Sequence, residues 1–260
     1  MAMIDPRAVV DKGAELADDV KVGAFAVVGP KARIGPGSEV SAHAMIEGRV
    51  VIGRGNWIGP YAYVGGPPQH VGYKGEDTAV VIGDRNQIRE YVTVHRGTAQ
   101  GHGETRIGSE CMIMLGCHVA HDCVVGDRVL MANLSTLAGH VAVDDDAVFG
   151  GFAAAHQHCR IGRVTMVAAG SKLAKDVPPY ALIGDDPPVF AGLNRIGLKR
   201  VGITEETKIA LRRAYRMIFG AKSLAEGLAK AEAAFGGSAE VAHVIAFFRG
   251  SKRGVIRALR

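Results

Sequence analysis

An aliphatic side chain recurs at every sixth position of this chain, and this spacing constrains the fold more than any other feature. The repeat starts at Ile4, lapses after Val64, resumes in phase at Ile82 and restarts one residue out of phase at Ile107. A second row, of mostly small side chains, lies two positions before each of these aliphatic residues. A period of six matches neither an α-helix nor a heptad coiled coil. Because residues i and i−2 of a strand face the same side, each repeat predicts a short strand with two inward side chains, followed by a turn.

Hexapeptide repeats of this kind predict a parallel β-helix, in which three strands close one triangular coil. Stacked coils would bury a continuous aliphatic column, and each coil would be stabilised mainly by its neighbours. The cysteines contain no CxxC pair and occupy the small inward positions, on successive faces of the coil, so we expect them to be structural rather than metal ligands. They are Cys111, Cys117, Cys123 and Cys159.

The two lapses in the repeat are polar and rich in glycine, and they predict loops expelled from the coil at residues 65–80 and 95–106. The repeat ends at about residue 188, after two proline pairs, and the sequence beyond it has features typical of helices. Thr204, Ser223 and Ser238 are candidate N-caps of three helices. We therefore predict an all-β domain at 1–188 and a helical C-terminal domain at 189–260, which would cover the open edge of the last coil.

Composition limits where the protein acts and what it binds. No stretch of the 260 residues approaches the roughly 20 apolar residues of a membrane span, and the N-terminus lacks the apolar core of a secretory signal. We expect a cytoplasmic protein with no membrane span. Basic residues concentrate in the C-terminal tail, which suits an acidic partner, whereas the lack of interleaved aromatic residues argues against nucleic acid.

Histidines cluster in the second half of the repeat, at His118, His121, His140, His156 and His158. A coil of three repeats places Asp122, His140 and His158 in register, about 4.8 Å apart along the stack. Spacing alone leaves three interpretations open. The cluster could be a solvated polar stripe, a metal site like that of the metal-dependent carbonic anhydrases of the hexapeptide class, or a general base oriented by a carboxylate.

Several short motifs make a resemblance specific. HVAHDC at 118–123 and LAGHV at 137–141 are followed by a glycine pair at 150–151 and by His156-Gln157. Together with residues 82–86, 88–90, 94–98, 176–180 and 197–200, they resemble the acyl-carrier-protein-dependent UDP-N-acetylglucosamine O-acyltransferases of lipid A synthesis. The resemblance covers essentially the whole chain and implies a left-handed coil.

The resemblance also implies a reaction, in which an (R)-3-hydroxyacyl group moves from acyl carrier protein to the 3-hydroxyl of UDP-N-acetylglucosamine. It implies that His121 is the general base, that Asp122 orients its imidazole, and that the N–H of Gly139 stabilises the oxyanion. It further implies a homotrimer with active sites between subunits, and direct transfer without a metal, cofactor or covalent intermediate.

By the same resemblance, donor or nucleotide would be bound by His118, His140, His156 and Gln157, and the UDP end by Asn194 and Arg200. Loop residues Gln69, His70 and Lys74 would face the acceptor, and Met166 and Ala169 would set the acyl length, with Ala169 favouring a shorter chain.

The chain departs from the family pattern at His70 and Gly72, where an acid and a lysine are usual, and at Val201, where a second basic residue is usual. These departures keep a 3-amino sugar nucleotide open as the acceptor, and a metal-dependent hydratase is the other alternative.

Overall fold

The computed structural model of the chain describes residues 1–258. In that part, parallel strands, mostly two residues long, form three sheets that run along the faces of a prism. Met3 pairs with Lys21 and Val9 pairs with Val27, so each coil returns after 18 residues (21 − 3 and 27 − 9). The predicted parallel β-helix is therefore confirmed.

The three sheets are named A, B and C in the order in which the chain first visits them. Sheet A contains Met3–Ile4, Lys21–Val22, Glu39–Val40, Trp57–Ile58, Gln87–Ile88, Met112–Ile113, Leu130–Met131, Val148–Phe149, Met166–Val167, Ala181–Gly184 and Val189–Leu193. Sheet B contains Val9–Val10, Val27–Val28, Met45–Ile46, Tyr63–Gly66, Thr93–His95, His118–Val119, Thr136–Leu137, Ala154–Ala155 and Lys172–Leu173. Sheet C contains Glu15–Leu16, Ala32–Ile34, Arg49–Ile52, Ala79–Ile82, Glu104–Ile107, Val124–Val125, Ala142–Val143 and Arg160–Ile161.

The interior of the prism is an aliphatic column built from the sixth-position side chains. Ile46, Ile58 and Ile82 are each at most 2% exposed. Fully burying a side chain of this size stabilises the fold by about 1.5–3 kcal/mol. The four cysteines are buried and unpaired in the row of small side chains, as predicted, and burial raises the pKa of Cys123 to about 12.

The corners between sheets are tight turns whose exposed position lies in the left-handed region. At the corner between sheets B and C, here the BC corner, Asp122, His140 and His158 occupy this position with φ of 59°, 61° and 64°. The turn thus presents one side chain per coil, in register, on the outside of the prism. The AB corner and the CA corner are defined in the same way.

Both predicted loops leave the coil at the BC corner. Loop 1 comprises residues 67–78 and loop 2 comprises residues 96–103, each slightly shorter than predicted because the flanking strands extend into it. Arg96 ties the loops together, because its guanidinium donates to the Gly65 carbonyl at 2.5 Å and to the Tyr73 hydroxyl at 2.9 Å.

Sheet A ends in an antiparallel hairpin, Ala181–Gly184 with Val189–Leu193, so the β structure extends past residue 188. Four helices follow: α1 Arg195–Arg200, α2 Glu205–Gly220, α3 Leu224–Phe235 and α4 Ala239–Gly250. Thr204, Ser223 and Ser238 cap α2, α3 and α4, as predicted, whereas the short α1 carries a cap that we did not predict, Asn194.

The open edge of the last coil is covered by the segment after α4. The Asp176 amide donates to the Gly254 carbonyl at 2.9 Å, and the Ile256 amide donates to the Asp176 carbonyl at 2.9 Å. The prediction that the tail covers this edge is confirmed, although extended backbone rather than a helix makes the contact. Helices α2 and α4 bury a separate apolar core that includes Leu211, Tyr215 and Phe247.

Candidate active site

The BC corner brings together the histidines and the carboxylate that the sequence places in register. The rings of His140 and His158 stack with their centroids 4.5 Å apart, and His121 meets His140 edge-on at 5.1 Å. Nδ1 of His121 lies 2.9 Å from Oδ2 of Asp122. The predicted proximity of these groups is therefore present within a single protomer.

Asp122 is buried and held by an unusual number of donors. Its side chain is 0% exposed, and it accepts hydrogen bonds from the amide of Thr98, the hydroxyl of Thr98 and the amide of His102. Burial alone would raise the pKa of this carboxyl, but the hydrogen bonds from Thr98 and His121 outweigh it and lower the pKa. Asp122 is consequently an anion near neutral pH, able to stabilise an adjacent imidazolium.

His121 is oriented with one nitrogen toward the protein interior. Because Nδ1 bonds to Asp122, the ring has Nε2 free, and this atom makes no hydrogen bond to any residue between 1 and 258. The His70 ring of loop 1 packs edge-on against His121, with centroids 5.4 Å apart. The side chain of His121 is only 12% exposed, so the imidazole is largely enclosed and Nε2 is its one nitrogen without a hydrogen bond among the described residues.

Gly139 lies against this imidazole. A Cβ at residue 139 would come within 2.6 Å of Cε1 and 2.7 Å of Nε2 of His121, so glycine is required for the ring to sit where it does. The Gly139 amide donates to no acceptor in the described chain, whereas the Gly139 carbonyl accepts from the His158 amide of the neighbouring coil. A free N–H next to a base matches the requirements of an oxyanion site.

A second histidine pair lies on sheet B, next to the BC corner. Nδ1 of His118 and the Thr93 hydroxyl share a hydrogen bond of 2.7 Å. The ring centroids of His118 and His95 are 5.2 Å apart, in an edge-to-face arrangement. Burial, reinforced by the neighbouring His95 and His121, lowers the pKa of His118 to about 4. Burial also lowers the pKa of His95 and of His140. These imidazoles are neutral near pH 7 and suit hydrogen bonding to ligands.

His121, Asp122 and His140 also lie close enough to hold a metal ion, with ligand atoms within 4.8 Å of one another. The hydrogen bonds do not favour that use. Both oxygens of Asp122 are engaged by Thr98, and one of them also by Nδ1 of His121. A metal bound by this carboxylate would compete with these donors.

The remaining predicted residues at this corner lie around the imidazole without bonding to it. Gln69 and Lys74 are exposed on loop 1, and His156 and Gln157 are exposed on the coil of His158. An Nη atom of Arg253 lies 3.4 Å from Nδ1 of His156. All four side chains are exposed, so they are accessible to a ligand.

Arg200 and Asn194 lie at a different corner. Arg200 lines a cavity of about 460 Å³ at the CA corner together with Arg128 and Arg163, and it donates to the Asp146 carbonyl at 3.0 Å. Asn194 is 7% exposed, and its amide is used internally, donating to the Val164 carbonyl and accepting from the Gly197 amide. Within one protomer neither residue reaches His121.

The two residues predicted to measure acyl length also lie away from His121. Met166 is half-buried on sheet A, and Ala169 is exposed in the turn at the AB corner. A single protomer therefore does not bring the length-setting residues, the arginine cavity and the base together.

The sequence did not single out four residues that shape this site: His95, Thr98, His102 and Thr105. His95 and Thr98 lie inside motifs noted for resemblance, but no periodicity marks them as ligands of Asp122 or neighbours of His118. The Thr105 hydroxyl accepts from the Asp122 amide at 2.8 Å. Only the position of loop 2 in space reveals these contacts.

The family model described as UDP-N-acetylglucosamine O-acyltransferase, domain 2, matches residues 176–256. A curated acyl-(acyl-carrier-protein)–UDP-N-acetylglucosamine O-acyltransferase from Anaeromyxobacter dehalogenans is 48% identical over 98% of this chain and 99% of its own length. The solved LpxA from Acinetobacter baumannii superposes with a TM-score of 0.95, at 36% identity, over 98% of this chain and 100% of its own. The structure of the Moraxella catarrhalis enzyme, UDP-N-acetylglucosamine O-acyltransferase (LpxA), matches with a TM-score of 0.94 at 38% identity, over 98% and 99% of the two chains.

The fold and these matches define an acyltransferase built on a left-handed parallel β-helix with a small helical C-terminal domain, as predicted. At the level of family, the chain belongs to the acyl-(acyl-carrier-protein)–UDP-N-acetylglucosamine O-acyltransferases. No helix among the described residues is long and apolar enough to cross a membrane.

Proposed function

We propose that this enzyme transfers an (R)-3-hydroxyacyl chain from acyl carrier protein to the 3-hydroxyl of UDP-N-acetylglucosamine, in the cytoplasm, as a step of lipid A synthesis. The observation that carries this proposal is the pairing of His121 with the buried Asp122 beside the free amide of Gly139. These three residues supply a base, a charge to support it and an oxyanion donor, which acyl transfer requires.

The proposed reaction is a direct transfer. Nε2 of His121 takes the proton of the sugar hydroxyl as its oxygen attacks the thioester carbonyl carbon. The Gly139 amide donates to the carbonyl oxygen as it becomes negative, and Asp122 stabilises the imidazolium. Collapse of the tetrahedral intermediate breaks the C–S bond, and the carrier thiolate takes the proton back from Nε2. An ester and a thiol result, and His121 returns to its neutral form.

Such a base contributes about 10²–10⁴-fold to the rate, and one oxyanion donor about 10²–10³-fold. The hydrogen bonds already made by Asp122 support its role as an orienting anion rather than a metal ligand, so the proposal includes neither a metal nor a covalent intermediate.

We further propose a homotrimer in which neighbouring protomers complete each active site. The support is geometric. His121 lies at the BC corner, Arg200 at the CA corner and Ala169 at the AB corner, so one protomer separates the base from the residues proposed to bind UDP and to set acyl length. Arg128 and Arg163 lie beside Arg200, but both are ion-paired with Asp146, at 2.8 and 3.5 Å. Arg200 has no carboxylate partner among the described residues, so it is the guanidinium proposed to bind the diphosphate. Because its amide caps α1, Asn194 would act there by holding the helix that carries Arg200.

The acyl donor is proposed to dock on the basic tail. Arg195, Arg212, Arg216 and Lys222 surround an aromatic-floored cavity of about 930 Å³ between the last hairpin and α2. No ion pair engages these four side chains within residues 1–258. An acidic carrier protein would be attracted to this charge, with a strength that falls as salt rises.

The test is a transfer assay with the purified enzyme, a series of acyl-carrier thioesters and two sugar nucleotides that differ only in a 3-hydroxyl or a 3-amino group. We expect the hydroxyl acceptor to be favoured, and His121→Ala to lose steady-state transfer, by about 10²–10⁴-fold, while the oligomer persists. Preference for the amine would move the assignment to an N-acyl transfer. Activity that is lost to chelators and restored by zinc would favour the metal-dependent alternative.

A further inference from the structure

Loop 2 wraps the buried carboxylate of Asp122. The Thr98 amide lies 3.1 Å from both oxygens, the Thr98 hydroxyl donates to Oδ2 at 2.7 Å, and the His102 amide donates to Oδ1 at 2.8 Å. Gly101 lies so close that a Cβ there would collide with the carboxylate. A loop that makes three hydrogen bonds to one side chain has a fixed position relative to it.

We infer that Thr98 is a positioning residue for acyl transfer, whose hydroxyl fixes Asp122 so that Asp122 in turn holds Nε2 of His121 toward the substrate. The inference rests on the proposed role of His121 as general base. It adds a residue from an expelled loop, 24 positions from Asp122 in sequence, to the groups that determine the rate.

The geometry separates the role of the hydroxyl from that of the backbone. The Thr98 amide is equidistant from the two oxygens and does not select one of them. The hydroxyl, at 2.7 Å, selects Oδ2, which is the oxygen that contacts His121 at 2.9 Å. The side-chain torsion of an aspartate carboxylate is soft. Without the hydroxyl, the His102 amide would still hold Oδ1, but Oδ2 would keep only the imidazole and the longer contact with the Thr98 amide.

If the carboxylate of Asp122 were displaced, the imidazole of His121 and its Nε2 atom would be held less precisely. A misplacement of about 1 Å in a reacting group can cost about 10²-fold in rate, and a hydrogen bond to a charged group is worth about 10- to 100-fold. Loss of the Thr98 hydroxyl should therefore lower kcat by about 10- to 100-fold and leave the KM for the sugar nucleotide within about twofold, because Thr98 is buried behind Asp122, with 1% of it exposed.

The experiment compares four single variants in the full-length enzyme. Thr98→Val replaces the hydroxyl with a methyl group, and Thr98→Ala removes it without adding bulk beside the carboxylate. Thr98→Ser keeps the hydroxyl and should restore kcat to within about threefold of the parent. The matched control is Thr78→Val, because Thr78 is a buried threonine on loop 1 whose hydroxyl has no hydrogen-bond partner in the described chain.

The pH profile distinguishes positioning from a general loss of structure. Burial raises the pKa of Asp122 and the hydrogen bond from Thr98 lowers it. Without the hydroxyl the pKa of Asp122 rises, so the further loss of kcat/KM that accompanies protonation of Asp122, at the acid end of the profile, should begin at a higher pH in Thr98→Val and Thr98→Ala. A role limited to folding would reduce the amount of active enzyme and leave the acid end of the profile in place.

A double-mutant cycle separates this inference from the proposed function. If Thr98 acts through His121, Thr98→Ala should cause little further loss in a His121→Ala background, measured in a single-turnover assay of residual transfer. Near-normal turnover of His121→Ala would overturn the proposed base. An inactive His121→Ala together with a Thr98→Ala variant of parental kcat and pH profile would overturn only the inference about Thr98.

Discussion

The AB and BC corners present side chains at the same turn position, in the left-handed region, on successive coils. At the AB corner, the rings of Phe25, His43, Tyr61 and Tyr91 stack with centroid separations of 5.0, 4.8 and 5.1 Å. At the BC corner, His140 and His158 stack at 4.5 Å. The backbone geometry of the coil thus produces a ladder of rings at both corners.

The corners differ in what covers them. The AB ladder is open to solvent, with Tyr61 and Tyr91 about half exposed at 49% and 57%. The BC corner carries both loops, which bury Asp122 and enclose His121. Stacking therefore comes from the repeat alone, whereas the hydrogen-bonded imidazole of His121 and the lowered pKa of His140 are found at the corner over which the loops return.

The largest difference between the corners should appear in activity. His121→Ala should lower kcat by about 10²–10⁴-fold, because it removes the base. His43→Ala, the same substitution in the AB ladder, should leave kcat within about twofold. Steady-state transfer rates for both variants test this contrast, and a large loss in His43→Ala would show that the AB corner also contributes to the chemistry.

A smaller loss is expected when the base is displaced rather than removed. Gly139→Ala places a methyl group 2.6 Å from Cε1 of His121 and should lower kcat by about 10²-fold. The control is Gly184→Ala, since a Cβ at Gly184 meets nothing within 4 Å. Parental kcat in Gly139→Ala would mean that the imidazole can shift without cost.

The buried histidines of the BC corner should make folding sensitive to acid. Burial lowers the pKa of His118 to about 4, so between pH 6.5 and 4 the unfolded chain binds a proton that the folded chain does not. The free energy of unfolding is therefore unaffected by this group above about pH 6.5 and falls as pH drops through that window, by about 3 kcal/mol in all.

Denaturant titrations across this range measure the effect. His118→Asn should flatten the pH dependence by about one proton, since asparagine does not titrate. An unchanged slope in the variant would assign the acid sensitivity to other groups.

The smallest effect should come from breaking the AB ladder. Tyr61 stacks on both His43 and Tyr91, and an aromatic contact is worth about 0.5–1.5 kcal/mol beyond its buried area. Tyr61→Ala should lower the free energy of unfolding by about 1–3 kcal/mol without changing the transfer rate. A loss of transfer rate in Tyr61→Ala, in addition to the loss of stability, would contradict the separation of the two corners.

Much of the site could be read from spacing, because the coil is periodic. Once each coil takes three repeats, Asp122, His140 and His158 must fall at one corner, and the structure places them there. The departure at His70 is also informative, because the His70 ring packs against His121. A histidine in place of the family's usual acid therefore alters the surroundings of the proposed base. The acceptor's 3-substituent and the acyl length remain predictions that the proposed assays address.

The structure of the C-terminal tail was less predictable from the sequence. The end of the repeat and the prolines marked a boundary at 188, but the hairpin strand Val189–Leu193 continues sheet A beyond it. This strand pairs antiparallel and so lacks the six-residue period. The sequence likewise does not predict the cap Asn194, because a six-residue helix carries little amphipathic pattern.

The sequence by itself determined the prism, its aliphatic column and the register of the histidines, because a strict period fixes which side chains face inward and which share a corner. Tertiary structure alone decided that Thr98, Gly101 and His102 close over Asp122. Loop 2 carries no period, and a buried carboxylate must find its donors wherever the folded chain supplies them, however far away they lie in sequence.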